Sequence, residues 1–170
     1  MHSRCGALWK NNQSLIGGKW VSGCLETAIA VIDPALGQVL GHTPRVSKTL
    51  VDDAIQAAAD AQKKWACELG MTRARLLRRI AQLHHEHLDT LAYILTREQG
   101  KPLSEAIGEI KYSASYFEWF ADQARIIHGD VLPSNQVNNR LFVTKEPVGV
   151  TAAITPVRSD LRFMFFLFRV

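Results

Sequence analysis

Cysteine is scarce in this chain, with Cys5, Cys24 and Cys67 the only three in 170 residues. Their number is odd and their spacing wide, so neither a disulfide framework nor a metal-ligand pair follows. Reduced thiols in a cytoplasmic protein are the expectation. Long apolar runs are missing as well. The Phe163–Phe168 run is six residues, against about 20 for a bilayer span. The opening Met1-His-Ser-Arg-Cys-Gly-Ala-Leu-Trp lacks the apolar core of a secretory leader. No membrane partner is expected. Charge of one sign is also in short supply. The formal charge is +4, and the last 14 residues, with three Arg and one Asp, supply +2 of it. The remaining +2 is spread over 156 residues with no Lys/Arg cluster interleaved with aromatics. No nucleic-acid partner is expected from that distribution.

The hydrophobic fraction of 47% and charged fraction of 21% fit one globular domain with a core of its own. Leu15–Val21 carries a Gly17-Gly18 pair between two short apolar pieces, the signal of a two-residue hairpin. A second hairpin follows, with Ala28–Ile32 as one strand and Gln38–Thr43 as its return. Between them Asp33-Pro-Ala-Leu-Gly37 supplies a preset φ at Pro34 and a permissive Gly37.

The apolar period then lengthens from two to 3.6. Thr49 is placed to cap a helix, with Asp52 three residues on. Leu50, Ala54, Ala57, Ala58, Ala61 and Trp65 share a face, and Gly70 is the expected stop. A second helix opens at Thr72 and carries a stripe from Leu76 to Leu95 over five turns, ending at Gly100. A third begins at Pro102 and runs to about Ile127, burying Leu103, Ile107, Ile110, Ala114, Phe117, Ala121 and Ala124. Strand character returns at Arg140–Lys145. Pro147-Val-Gly149 bends the chain, and Val150–Ile154 is a short apolar strand of the kind buried in parallel sheets. Hairpins, three helices, a hairpin and a buried strand make an α+β opening to an α/β unit.

Few residues invite a catalytic assignment on their own. His84, His85 and His87 lack the i, i+4 spacing of a metal face and read as solvent-facing helix positions near Glu86. Gly17-Gly18-Lys19 lacks the rest of a phosphate-loop frame. The string Glu98-Gln-Gly-Lys-Pro-Leu-Ser-Glu-Ala-Ile-Gly-Glu109 is a helix stop followed by a helix start. Glu105 in the new first turn complements the helix dipole.

As a string, however, Glu98–Glu109 resembles a signature of the aldehyde dehydrogenase superfamily. Ile16-Gly-Gly-Lys-Trp20, Asp33-Pro-Ala-Leu-Gly37, Ser115-Tyr-Phe-Glu-Trp-Phe-Ala121, His128-Gly-Asp130 and Pro147-Val-Gly-Val-Thr-Ala-Ala-Ile-Thr-Pro156 follow in family order and spacing. The Glu-Trp-Phe-Ala and Gly-Val-Thr-Ala-Ala-Ile-Thr-Pro strings are most similar to the succinate-semialdehyde dehydrogenase branch. The resemblance runs from Leu8 to Pro156 and implies an α/β fold, the incomplete N-terminal part of the aldehyde dehydrogenase architecture. Val150–Ile154 would then be the first strand of a Rossmann-like sheet.

The resemblance also implies a reaction. A Cys thiolate attacks a small aldehyde, hydride passes to NAD or NADP, and a Glu-activated water hydrolyses the thioester. Of that machinery the chain would carry only a cofactor-binding edge at Ile154, Thr155 and Pro156. Val157 and Arg158 stand where the family has Trp and Asn, so no catalytic role carries over, and Cys5, Cys24 and Cys67 lie outside the nucleophile motif. The expectations are an inactive chain that binds no cofactor, and either a homo-oligomer or strand pairing with a full-length relative through Arg140–Lys145. Residues 157–170 depart from the family, and four of the seven phenylalanines fall in this tail. A mismatch that starts inside a motif favours out-of-frame translation over an apolar anchor.

Overall fold

The computed structural model describes residues 13–154. Both expected N-terminal hairpins are present. β1 (Gln13–Ile16) pairs antiparallel with β2 (Lys19–Ser22), Ile16 facing Lys19 across the Gly17-Gly18 turn. β3 (Ile29–Ile32) pairs with β4 (Val39–Thr43), with a register shift between Val31 and Ile32. The Asp33–Gly37 turn is closed twice: the Gly37 N–H donates to the Asp33 carbonyl at 2.8 Å, and the Asp33 N–H donates to the Gln38 carbonyl at 2.9 Å.

Four helices follow where the periodicity predicts three: α1 (Lys48–Ala66), α2 (Gly70–Glu86), α3 (Leu88–Gln99) and α4 (Leu103–Gln123). The cap of α1 is Ser47, not Thr49. Ser47 has extended backbone (ψ 162°) and its hydroxyl accepts the Leu50 N–H at 3.3 Å, which places Thr49 inside the first turn. Gly70 does not stop α1, which ends at a Cys67 cap. It is instead the first residue of α2, because a Cβ there would lie 2.4 Å from the Ala124 carbonyl oxygen. The glycine permits the start of α2 to touch the end of α4.

The long stripe from Leu76 to Leu95 is broken at His87, whose backbone (φ −109°, ψ 17°) leaves the helical region. Neither Gly nor Pro marks the spot. The break divides one stripe between two clusters. Ala74, Leu77 and Ala81 of α2 pack with Ala114, Phe117 and Ala121 of α4, joined by Ala124. Ala92 and Leu95 of α3 pack with Ala106 and Ile110, with Leu88, Leu91 and Ile107 against them. Leu76 and Leu103, expected inside, are exposed. Pro102 caps α4 (φ −56°, ψ 142°) and is not its first helical residue; α4 also stops at Gln123, four residues short of Ile127.

The two clusters form a thin core. Seven of the eleven buried hydrophobic residues among those described are alanines, so the helices approach closely while each contact removes little apolar area. α1 buries no residue completely. β5 (Asp130–Leu132) and β6 (Leu141–Val143) form an antiparallel ribbon in which every residue is exposed. The expected strand Val150–Ile154 is a correction. Gly149 turns the chain (φ 96°), as the Pro147-Val-Gly149 bend requires. The segment after it has no strand pairing, however, and Ile154 is 100% exposed. A parallel-sheet strand exists only through neighbours on its edges, and none lies beside it among the described residues.

This distribution predicts a graded native state. In hydrogen exchange on the whole chain, amides of α2 and α4 should exchange slowest, while α1 and the β5–β6 ribbon exchange near the rate of local opening. Protection in α1 equal to that in α4 would contradict the burial pattern.

Candidate functional site

The most densely connected polar region lies where the Asp33–Gly37 turn meets the corner between α3 and α4. Two of the strings picked out in the sequence, 65 positions apart at Asp33 and Glu98, are brought together here. Asp33 is 2% exposed. One of its carboxylate oxygens accepts the Ala35 and Leu36 N–H groups at 2.8 and 3.2 Å, an Asx turn that rigidifies the loop. The other accepts Arg97 Nε at 2.5 Å. Arg97 also donates to the Tyr93 hydroxyl at 2.8 Å and lies over the Tyr93 ring at 5.7 Å. Burial by itself raises the Asp33 carboxyl, but Arg97 and the two backbone N–H groups outweigh it and hold the pKa below the ordinary value. The hydrogen bonds to Asp33 and Tyr93 in turn raise the pKa of Arg97.

Gly100 ends α3 in the left-handed conformation (φ 75°, ψ 10°), its N–H donating to the Thr96 carbonyl at 2.8 Å. A Cβ at this position would meet Pro34 Cγ at 2.7 Å. One residue later, Lys101 Nζ pairs with Glu109 Oε2 across the first turns of α4, with the two side chains 17% and 5% exposed. The Glu98–Glu109 string is thus a structural joint: a glycine cap, a turn docked on it and a buried ion pair. Sequence reasoning placed the helix stop and start but missed both ion pairs. The signal for Lys101–Glu109 was present, since both ends lie in one string; the signal for Asp33–Arg97 was not.

Of the expected cofactor edge, only Ile154 lies among the described residues. Ile154 is fully exposed, while Thr155 and Pro156 lie outside the described residues. Cys24 and Cys67 are exposed free thiols, and Cys5 also lies outside. Among the described residues no group of three His, Cys, Asp or Glu side chains is placed to hold a metal ion. The histidine cluster separates in space. His84 is half-buried, with Nδ1 2.9 Å from the Ile80 carbonyl and its ring 5.2 Å from Phe117. That departs from the solvent-facing expectation, because α4 covers this side of α2. His85 faces Glu118 at 3.9 Å, and His87 is exposed at the helix break. Two shallow grooves run along α2, one lined by Met71, Thr72, Arg75 and Arg79 and the other by Gln82, His85 and Glu118. Neither reaches Ile154.

The aldehyde dehydrogenase family model matches residues 20–158. The chain belongs to the aldehyde dehydrogenase family. It is 46% identical over 144 residues to the NADP(+) succinate-semialdehyde dehydrogenase of Escherichia coli K12, covering 85% of this chain and 30% of that protein. Identity to the glutarate-semialdehyde dehydrogenase of Pseudomonas putida is 45% over the same length and shares. The fold matches the crystal structure of an aldehyde dehydrogenase from Brucella melitensis biovar abortus 2308 with a TM-score of 0.88 at 42% identity, over 94% of this chain and 33% of that one. Succinate-semialdehyde dehydrogenase from Burkholderia pseudomallei matches with a TM-score of 0.86 at 42% identity, over the same shares. A betaine aldehyde dehydrogenase from Staphylococcus aureus, solved with NAD+, matches at 0.86 and 28% identity over 97% of this chain and 33% of that one. The chain therefore spans about a third of the length of the relatives it matches, and its fold is the incomplete N-terminal part of theirs.

Two outcomes test the joint. Asp33 has a depressed folded-state pKa, so its contribution is present at neutral pH and above its unfolded value, about 3.9, and is lost as pH falls through the folded value. Asp33→Asn should lower the melting temperature at pH 7 and flatten the acid limb of a melting temperature–pH profile; an unchanged limb would exclude the carboxylate. Lys101→Met should destabilise by about 3–5 kcal/mol, because Glu109 is then buried without its partner. Adding Glu109→Leu should recover much of the loss in denaturant titrations.

Proposed function

We propose that this chain is the N-terminal part of a succinate-semialdehyde dehydrogenase-type enzyme whose complete form oxidises a small aldehyde acid to a carboxylate with NAD or NADP. The observation that carries this reading is the alignment with two semialdehyde dehydrogenases at 45–46% identity over 85% of the chain. Within it the Asp33–Gly37 and Glu98–Glu109 strings occupy one joint, where Pro34 sits against Gly100 and Arg97, next to the second string, holds Asp33.

The 170 residues by themselves are inactive in this reading. Covalent aldehyde oxidation needs a nucleophilic thiolate beside a general base and donors for the developing oxyanion. Cys24 and Cys67 are exposed, and neither lies beside the Thr155–Pro156 edge in sequence. The residues that would touch the cofactor are Ile154, Thr155 and Pro156, and this chain binds none by itself. Residues 157–170 are read as a tail that departs from the family sequence, the family model itself extending to residue 158. No helix among the described residues is long and apolar enough to cross a membrane, and a cytoplasmic location with neither nucleic-acid nor membrane partners accords with the sequence.

Purified chain supplied with succinate semialdehyde and either nicotinamide cofactor should show no reduction above the blank. Turnover in proportion to protein concentration would overturn the inactivity.

The β5–β6 ribbon supports a second role, as a non-catalytic module that co-assembles with a full-length relative or with itself by strand addition. Its six strand residues are all exposed, with Val131 at 70% and Phe142 at 69%. A two-stranded ribbon also leaves a row of backbone donors and acceptors unpaired on each outer edge. When the chain is co-expressed with a full-length succinate-semialdehyde dehydrogenase, size exclusion should show a shared peak that Phe142→Asp diminishes. A lone monomeric peak for the chain would rule this role out.

A further inference from the structure

Two oxygen atoms on α4 are buried without a hydrogen-bond partner: Glu109 Oε1 and Ser113 Oγ. They sit four residues apart and therefore share one helix face. Each atom exposes less than 1 Å², and Ser113 as a residue is 0% exposed. They do not bond each other, and Lys101 Nζ is engaged on the other Glu109 oxygen. Ser113 also leaves unused the ordinary recourse of a helical serine, donation to the carbonyl four residues back.

Their chemistry is complementary to one small guest. A carboxylate oxygen only accepts hydrogen bonds, while a hydroxyl both donates and accepts. Stripping such groups of water without a replacement is costly, and buried polar atoms are nearly always partnered. A partner for Glu109 Oε1 must donate and one for Ser113 Oγ can do either, so a single molecule able to do both serves the two atoms on this face. It must also reside inside, because neither atom is open to a group arriving at the surface. A cation is the poorer fit, since the Lys101 ammonium already neutralises this carboxylate.

We propose that Glu109 and Ser113 hold a single trapped water molecule between them. It donates one hydrogen bond to Glu109 Oε1 and shares another with the Ser113 hydroxyl. The site completes the hydrogen bonding of the Lys101–Glu109 pair and makes these polar residues of α4 compatible with the Ala106–Ile110 cluster on the same helix. Buried waters of this kind typically have two to four polar partners, and these atoms supply two.

Diffraction from crystals of the full chain is the direct test. An ordered solvent peak is expected at about 2.6–3.2 Å from both Glu109 Oε1 and Ser113 Oγ. In Ser113→Ala the peak should weaken or vanish with α4 undisturbed. Glu109→Gln, which keeps an acceptor oxygen, should retain it. A dry site with Ser113 turned onto the Glu109 carbonyl would overturn the proposal, as would a peak unchanged in Ser113→Ala. Water-selective nuclear Overhauser measurements on the wild-type chain give an independent reading that needs no variant to fold. A long-lived cross-peak between water and the Ser113 backbone amide is expected, and its absence would likewise overturn the site.

Discussion

The close approach of α2 and α4 is the contact on which the described structure depends. Its seam is built from Ala74 and Ala81 on one side and Ala114 and Ala121 on the other, with Leu77 and Phe117 as the large side chains. Small residues let two helices come near enough for dispersion contacts along their length. Gly70 extends the same logic to the end of the seam, where α2 begins against the Ala124 carbonyl. Each alanine removes little apolar surface from water, so the seam is close-packed yet modest in total stabilisation. That explains why polar joints carry so much of the remaining organisation.

Those joints are concentrated at the α3–α4 corner. Arg97 ties the β3–β4 turn to α3, Gly100 gives Pro34 room to sit against the helix end, and Lys101 reaches back to Glu109 inside α4. A buried ion pair is weak evidence for net stability but strong evidence for geometry, because separating it strands a charge. The corner thereby ties the start of α4 to the place where the β3–β4 hairpin docks. The relatives that the chain matches are about three times its length.

Apolar surface also remains exposed among the described residues. Leu15, Trp20, Ile29 and Val39 of the N-terminal hairpins, Trp119 of α4 and Val131 and Phe142 of the ribbon are all more than half exposed. Where such residues are contiguous they mark sites of interaction, whereas scattered ones are ordinary surface. The Val150–Ile154 segment belongs to the same group, since its alternation-free apolar character suits a strand with neighbours on both edges.

Much of this was legible in the residues themselves. The Gly17-Gly18 and Asp33–Gly37 turns, the helical periods and the Gly100 stop are local matters, decided by φ preferences and spacing within a few residues. The family strings were equally legible, because they are sequence. The tertiary structure decided what depends on residues far apart. It made Gly70 an opening residue, because Ala124 lies against it. It divided the Leu76–Leu95 stripe at His87, where no local residue marks a break, so that two faces could pack in two clusters. It joined Asp33 to Arg97 across 64 positions, and it left Val150–Ile154 unpaired, since a strand is formed by its neighbours and not by its own side chains.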